Sequence, residues 1–473
     1  MSNFVFYDFE TSSSNKYWGQ IIQIGAMLTN DKLEELDRFD ARCRLSKNII
    51  PEAMALIVNK SSPQMLKGAN LSHYEMIRQF VKTLNKWGKA TYLGFNSIEF
   101  DEEFLRNTLF QTLEYPYLTS TNGNTRGDIL SLARAANLYY PNTLKNPVNK
   151  KGNDVYKLDQ MAPLNGIFHG DAHSAIGDVI ATVGVAKIIE KKAPSVWKAS
   201  LLTMDKTQSL DLIKKEPYFC TNEYFYGKSR PYVQTFVCQH PQYQWPLCFD
   251  LKHDPNIFIN LSVQELTVAM KKNPKFIRTV RHNKHPVIMN PSYSKQFEEY
   301  SIIGIEKLKE RAQIIRDNKD FAQKISSIKQ EEAEEKQQSK SQEDIYNEES
   351  IYSKFTGIED NKLMPEFHAA DWDKKLHIIS KFKDERLQYF GKKLLYIEKP
   401  ELLSKSDYNL IHKETAKKIL STNNEKWNTI PRVYSEIDTL REKFAREDQP
   451  KKLIILDEIN AYVEELEKFY SSV

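Results

Sequence analysis

The stretch Phe4-Val5-Phe6-Tyr7-Asp8-Phe9-Glu10-Thr11 constrains this chain more than any other. Side chains alternate across a strand, so Phe4, Phe6, Asp8 and Glu10 share one face and Val5, Tyr7 and Phe9 share the other. A strand that is apolar on both faces belongs in the middle of a sheet covered by helices. Inside such a strand, two carboxylates about 7 Å apart repel one another and lose hydration. A divalent cation removes both objections. A strand end whose acids reach water removes them too, so the rest of the chain must decide.

The segments that follow build a mixed α/β unit. IIQIGAML reads as a second strand. Phe39, Ala41, Cys43 and Leu45 then alternate with Asp40, Arg42, Arg44 and Ser46, the pattern of a half-buried strand. Together the three runs predict an antiparallel meander. Ser72 and Glu75 form a capping box, and Ile77, Phe80, Val81 and Leu84 follow at helical spacing. TYLGFN predicts a short strand, 101–113 a helix, and 128–140 a helix capped by Asp128. A last helix runs from Ala175 until Pro194 approaches. Its small residues Gly177, Ala181 and Gly184 form a stripe that would let it pack close to the sheet.

At 473 residues the chain is too long for one core. Residues 217–290 are rich in aromatics and in short β-like runs (YVQTFVC, PLCFDL, FIRTV), which predicts a small β domain. From Ile302 to Gln338 the pattern is helical and increasingly charged, and EEAEEKQQSKSQEDIYNEES reads as a solvated helix end or a linker. Helical periodicity fills 350–473. The expected boundaries are 1–192, 193–347 and 348–473. A net charge of +4 makes no global case about nucleic acid. Cys43, Cys220, Cys238 and Cys248 form no C-x-x-C pair, so neither a zinc site nor a disulfide framework is expected, and a reducing cytoplasm fits. No signal peptide or membrane span is expected.

Two further carboxylates stand where crevices form. Asp101 follows the strand TYLGFN as the chain turns into a helix; strand C-terminal ends line crevices in open α/β sheets, although Asp is also a favoured helix cap. Asp178 shares a helix face with Thr182, Val185 and Ile189, and an ionisable group on a packed face is costly unless paired or metal-bound. His173 lies five residues earlier, near the helix start. Asp8, Glu10, Asp101 and Asp178 offer enough oxygen ligands for two Mg²⁺ ions. The unperturbed pKa of histidine lies near neutrality, which suits His173 to act as general base on an attacking water.

D-x-E, N-x-x-x-F-D and H-x-x-x-x-D, in that order, resemble the DEDDh 3′→5′ exonucleases. FNSIEFDEEFLRN, NTRGDILSLARA and DAHSAIGDVIATVGVAK resemble, within them, the bacterial exonuclease I family. The likeness is specific over residues 4–190 and weaker beyond, where VRHNKHPVI and IYSKFTG carry it; TSSSN and TSTNGNT depart from the pattern. It implies a ribonuclease-H-like α/β nuclease domain, a Src-homology-3-like β-barrel and an all-helical C-terminal domain, together forming a groove for single-stranded DNA. It implies Asp8, Glu10, Asp101 and Asp178 as ligands of two Mg²⁺ ions, replaceable by Mn²⁺, and His173 as the base. Glu10, Lys157, Arg106, Tyr117, Arg126, Arg134 and Lys206 become substrate-contact candidates.

Arg281 and Lys284 join them from the stretch 271–286, where His282, His285, Phe276 and Tyr293 stand near; interleaved basic and aromatic residues suit a groove that tracks a nucleic-acid backbone. The expected reaction is release of 5′-mononucleotides from the 3′ end of single-stranded DNA, in repair and recombination. A monomer is expected, with the acidic tail of single-stranded-DNA-binding protein as a further partner. The alternatives are a DEDDh exoribonuclease and an inactive single-strand-binding scaffold. No residue pattern separates DNA from RNA. The large C-terminal addition favours DNA, and the full set of carboxylates disfavours the scaffold.

Overall fold

The computed structural model describes residues 3–168, 174–339 and 345–472. Its first sheet has five strands in the order β3-β2-β1-β4-β5. They are β1 (Asn3–Thr11), β2 (Ile21–Thr29), β3 (Glu35–Arg42), β4 (Ala90–Gly94) and β5 (Thr125–Asp128). The first three form the expected antiparallel meander. β4 joins β1 in parallel, with Phe6 opposite Leu93, and β5 joins β4 in parallel, with Gly94 opposite Asp128. β1 is central, as its two apolar faces require. Phe4 and Phe6 pack into one cluster with the helices Ile129–Tyr139 and Ala175–Lys192. Val5, Tyr7 and Phe9 pack into another with the helices His73–Trp87 and Asp101–Gln111.

Local signals act as read. Ser72 and Glu75 close their capping box, and Asp128 caps the helix Ile129–Tyr139 by accepting from Leu130 N–H. Strand β5 carries no alternation over its four residues and was invisible as a strand. The helix Ala175–Lys192 packs close on β1 and β2, as expected, but one residue of its small-residue stripe serves another contact. Gly184 makes room for Ile167, not for the sheet. The close approach of helix to sheet is made by Gly25 on β2, where a Cβ would lie 2.4 Å from the backbone of Ala175 and Ile176.

The second sheet has the order β10-β6-β7-β8-β9 and is antiparallel throughout. Its strands are β6 (Phe219–Phe225), β7 (Lys228–Gln239), β8 (Pro246–Asp250), β9 (Ile277–Thr279) and β10 (Ile288–Met289). Helices Pro194–Thr203 and Lys206–Lys215 precede it, and Ile305–Asp317 and Lys319–Ser339 follow it. The charged tract is thus helical at least to Ser339. Everything described after Asn347 is helical or connecting chain.

Hydrophobic cores cross between these regions. Ile22, Leu56 and Ile57 share one with Ile430, Ile459 and Tyr470, and Phe110 and Leu113 share another with Phe367 and Phe390. The C-terminal helices therefore pack into the core of the first α/β unit rather than hanging from a linker.

Candidate active site

Asp8 and Glu10 project from the same face of β1 toward the start of the helix Ala175–Lys192. Ser174 caps that helix by accepting from Gly177 N–H. Asp178 lies in its first turn, one turn before the buried Thr182. Pressed against Gly25, this helix start brings the Asp178 carboxylate to the strand. One oxygen from each of Asp8, Glu10 and Asp178 lies within 4.8 Å of the others, a group able to hold a metal ion.

Asp101 is the first residue of its helix, and Phe100, not Asp101, occupies the cap position. Its carboxylate is buried and accepts from Phe9 N–H at 3.0 Å. Phe9 sits between Asp8 and Glu10, so Asp101 is tied to the backbone of the strand that carries them. His173 lies outside the described residues.

The electrostatics mark the same place. Burial pushes Asp8 well above the usual carboxylate range, and the charges of Asp101, Asp178 and Glu10 add to it. Glu10 is pushed up to about 8 by burial and by Asp178, against Asn59, Arg42 and Lys60. Asp101 is raised by burial despite the bond from Phe9. Carboxylates held this close in a partly dry crevice favour either a proton or a cation. A hard divalent ion with oxygen ligands fits this donor set.

The structure disperses the substrate-contact candidates. Arg106 and Arg126 both pair with the buried Glu102, each at 2.9 Å. Tyr117 stacks on Arg106, whose guanidinium lies 5.2 Å from its ring. Burial opposes the charge on Glu102, yet Arg126 and Arg106 hold its carboxyl below the ordinary range. Lys157 and Lys206 are exposed at the starts of two helices.

Arg134, Arg281 and Lys284 do come together. They line a basic basin of about 590 Å³ with Lys275, Arg278 and Lys329. Arg134 lies over Tyr224 at 3.9 Å, Arg281 over Trp245 at 5.1 Å, and Lys284 pairs with Glu99 at 3.4 Å.

Three residues read as part of the basic groove do other work. His285 is buried: its Nδ1 accepts from Asp128 N–H at 2.9 Å, and its Nε2 faces Ser200 O at 3.2 Å. Burial lowers it to about 4, so it stays neutral and docks the second sheet on β5. Phe276 stacks on Phe258 inside the core. The Tyr293 hydroxyl bonds that of Tyr140 at 2.6 Å. Sequence reasoning also missed Glu102 and Asn59, whose roles depend on partners far away in the chain.

Residues 5–186 match the family model for exonucleases, and residues 344–466 match the model of the exonuclease I C-terminal domain. The chain is 25% identical over 400 residues to exodeoxyribonuclease I of Buchnera aphidicola subsp. Acyrthosiphon pisum, covering 82% of this chain and 94% of that one. Against Escherichia coli exodeoxyribonuclease I the identity is 27% over 216 residues, 45% of each chain. The fold superposes on exonuclease I from Methylocaldum szegediense with a TM-score of 0.82 at 21% identity, covering 99% of this chain and 100% of the other. It superposes on E. coli exonuclease I, solved with a dA16 oligonucleotide, with a TM-score of 0.82 at 19% identity, covering 98% and 100%. The group of acids thus sits in an exonuclease domain built on a mixed five-stranded α/β sheet, and an exonuclease I C-terminal domain follows it in the same chain.

Proposed function

We propose that this protein is an exodeoxyribonuclease that removes 5′-mononucleotides from the 3′ end of single-stranded DNA. One observation carries the reading: Asp8, Glu10 and Asp178 converge within 4.8 Å, with Asp101 fastened beside them through Phe9. These four residues would hold two divalent ions, Mg²⁺ in the first instance and Mn²⁺ as a substitute. Such a pair, when bound, stabilises the attacking and leaving oxygens of an in-line displacement.

The chain's own residues supply the rest. His173 takes a proton from the attacking water, which adds to the terminal phosphorus. The bond from phosphorus to the 3′-oxygen of the preceding nucleotide breaks, and that oxygen gains a proton. The products are a 5′-mononucleotide and a strand one residue shorter. The basin lined by Arg134, Arg281 and Lys284 is suited to phosphates upstream of the cut. The sharing of substrate names with exodeoxyribonuclease I relatives supports DNA over RNA.

The proposal keeps the parts 1–192, 193–347 and 348–473, a monomer, a cytoplasmic setting, a role in repair, and the acidic tail of single-stranded-DNA-binding protein as a partner. The test is a metal titration with labelled single-stranded DNA and RNA oligomers. Metal-dependent shortening of DNA from its 3′ end is expected. His173→Ala should lose about 10²–10⁴-fold in rate with strand binding retained. Preference for RNA would move the assignment to an exoribonuclease, and no cleavage with binding intact would leave a scaffold.

A further inference from the structure

Glu102 is fully buried behind the sheet, on the face of β1 opposite Asp8 and Glu10. Four donors converge on it. The Tyr7 hydroxyl donates at 3.0 Å, Thr119 Oγ1 at 2.6 Å, Arg106 Nε at 2.9 Å and Arg126 Nη1 at 2.9 Å. Tyr7 immediately precedes Asp8, and Glu102 immediately follows Asp101. The helix start is therefore bonded to β1 from both sides: Phe9 N–H to Asp101 in front, Tyr7 Oη to Glu102 behind.

The clamp reaches further. Arg126 extends its other terminal nitrogen to Asn283 O at 3.3 Å. In the same stretch Lys284 pairs with Glu99, two residues before Asp101, and His285 accepts from Asp128 N–H. The segment 283–285, between β9 and β10, is thus fastened to β5 and to the loop that precedes Asp101.

A buried carboxylate between two guanidiniums is an expensive arrangement if its only task is stability, because well-packed apolar side chains often do as well. It suits a site where two groups must be held at a fixed separation, since charge-assisted bonds are short and directional. We propose that Glu102 is a positioning residue of the metal centre: clamped by Arg106 and Arg126, it holds Asp101 in register with Asp8 and couples both to segment 283–285. The inference rests on the metal reading of the four carboxylates. It also gives Arg106 and Arg126 a task inside the protein, as the cations that keep Glu102 charged and oriented.

Partners that orient metal ligands typically cost about 10–100-fold in metal affinity or activity when removed. The test compares Glu102→Gln, Glu102→Asp and Tyr7→Phe with the wild type in the full chain. Three quantities are read: Mn²⁺ affinity by calorimetry without DNA, the Mn²⁺ concentration for half-maximal cleavage, and the melting temperature.

Glu102→Gln should weaken Mn²⁺ binding by about 10–100-fold and raise the half-maximal concentration in parallel. Tyr7→Phe removes only the strand-side bond. It should fold normally and shift both by about tenfold, with the rate recovered at high Mn²⁺. Glu102→Asp should fall between wild type and Glu102→Gln. A lower melting temperature with unchanged Mn²⁺ affinity would mean Glu102 is only structural and would overturn the inference. Should Glu102→Gln fail to fold, Tyr7→Phe decides alone: unchanged Mn²⁺ binding there overturns it. Wild-type protein that bound no Mn²⁺ would instead overturn the metal reading, and the inference with it.

Discussion

Asp8 and Gly25 stand directly opposite one another on β1 and β2. Asp8, proposed to hold a cation, faces a residue with no side chain, and the space is taken by the backbone of Ala175 and Ile176. That is how a helix start comes near enough for Asp178 to meet Asp8. Gly25→Ala should therefore push the helix away. Overpacking costs typically about 1–3 kcal/mol, and the metal group should loosen with it. The check is thermal unfolding together with Mn²⁺ affinity; wild-type values in both would place the helix farther from β2 than described.

Asp8→Ala and Asp178→Ala should abolish cleavage, because each removes an oxygen donor from the 4.8 Å group. Single-stranded DNA binding measured in Ca²⁺ should persist, since the basic basin is untouched. Substantial Mg²⁺-dependent hydrolysis in either variant would remove that residue from the ligand set.

Glu10 sets a pH dependence. Its folded value, about 8, lies above its ordinary value of 4.5, so the folded state holds the proton more tightly than the unfolded chain does. Its contribution to stability is complete below the ordinary value and is lost as pH rises through about 8. Asp8 and Asp101 act in the same direction. A bound divalent ion replaces the protons. The gain in melting temperature on adding Ca²⁺ to chelator-treated protein should grow from about pH 5 to about pH 8. A gain that did not change with pH would show that these carboxylates are not what the ion relieves.

Arg281 and Lys284 lie in the connection between β9 and β10 and line the basic basin. If they hold phosphates upstream of the cut, Arg281→Ala with Lys284→Ala should make digestion more distributive. Each phosphate contact to a single strand contributes a slope of about −0.7 in log affinity against log salt. The double variant should be shallower by about one unit or more, with near-normal cleavage of a very short oligomer. The measurement is product length over time on a long strand with excess unlabelled trap. Complete digestion of each strand in one encounter would send the search for the groove elsewhere.

Glu348 offers a control remote from the chemistry. It accepts from Lys393 at 2.8 Å and from Tyr389 at 2.9 Å, and pairs with Lys418 at 3.5 Å. Burial opposes its charge, but Lys393 and Lys418 hold it at about 2. Its stabilisation is present above the ordinary carboxylate value and is lost as pH falls through about 2. Glu348→Gln should lower the melting temperature by leaving the half-buried Lys393 and Lys418 ammonium groups without their counter-charge, while leaving cleavage per folded molecule unchanged. A melting temperature equal to wild type would show the cluster to be well solvated.

The sequence by itself determined what short-range physics can write. Period-two alternation placed β1 in a sheet centre and put Asp8 and Glu10 on one face. The box formed by Ser72 and Glu75 started one helix and Asp128 another. Helical spacing put Asp178 on a packed face. These are contacts among near neighbours, where residue type and spacing carry nearly all the information.

Only the tertiary structure decided which charges pair and which stay available. Arg106, Arg126 and Arg134 look alike as basic residues flanking motifs, yet the first two are bound to Glu102 while Arg134 lines a basin. His285 looks like part of a basic turn, yet it is a buried neutral link to Asp128, 157 residues away in the chain. Tyr7 and Glu102 meet across 95 residues. No local pattern encodes such pairings, because the energy that makes a buried ion pair worthwhile depends on desolvation by elements that arrive from elsewhere in the chain.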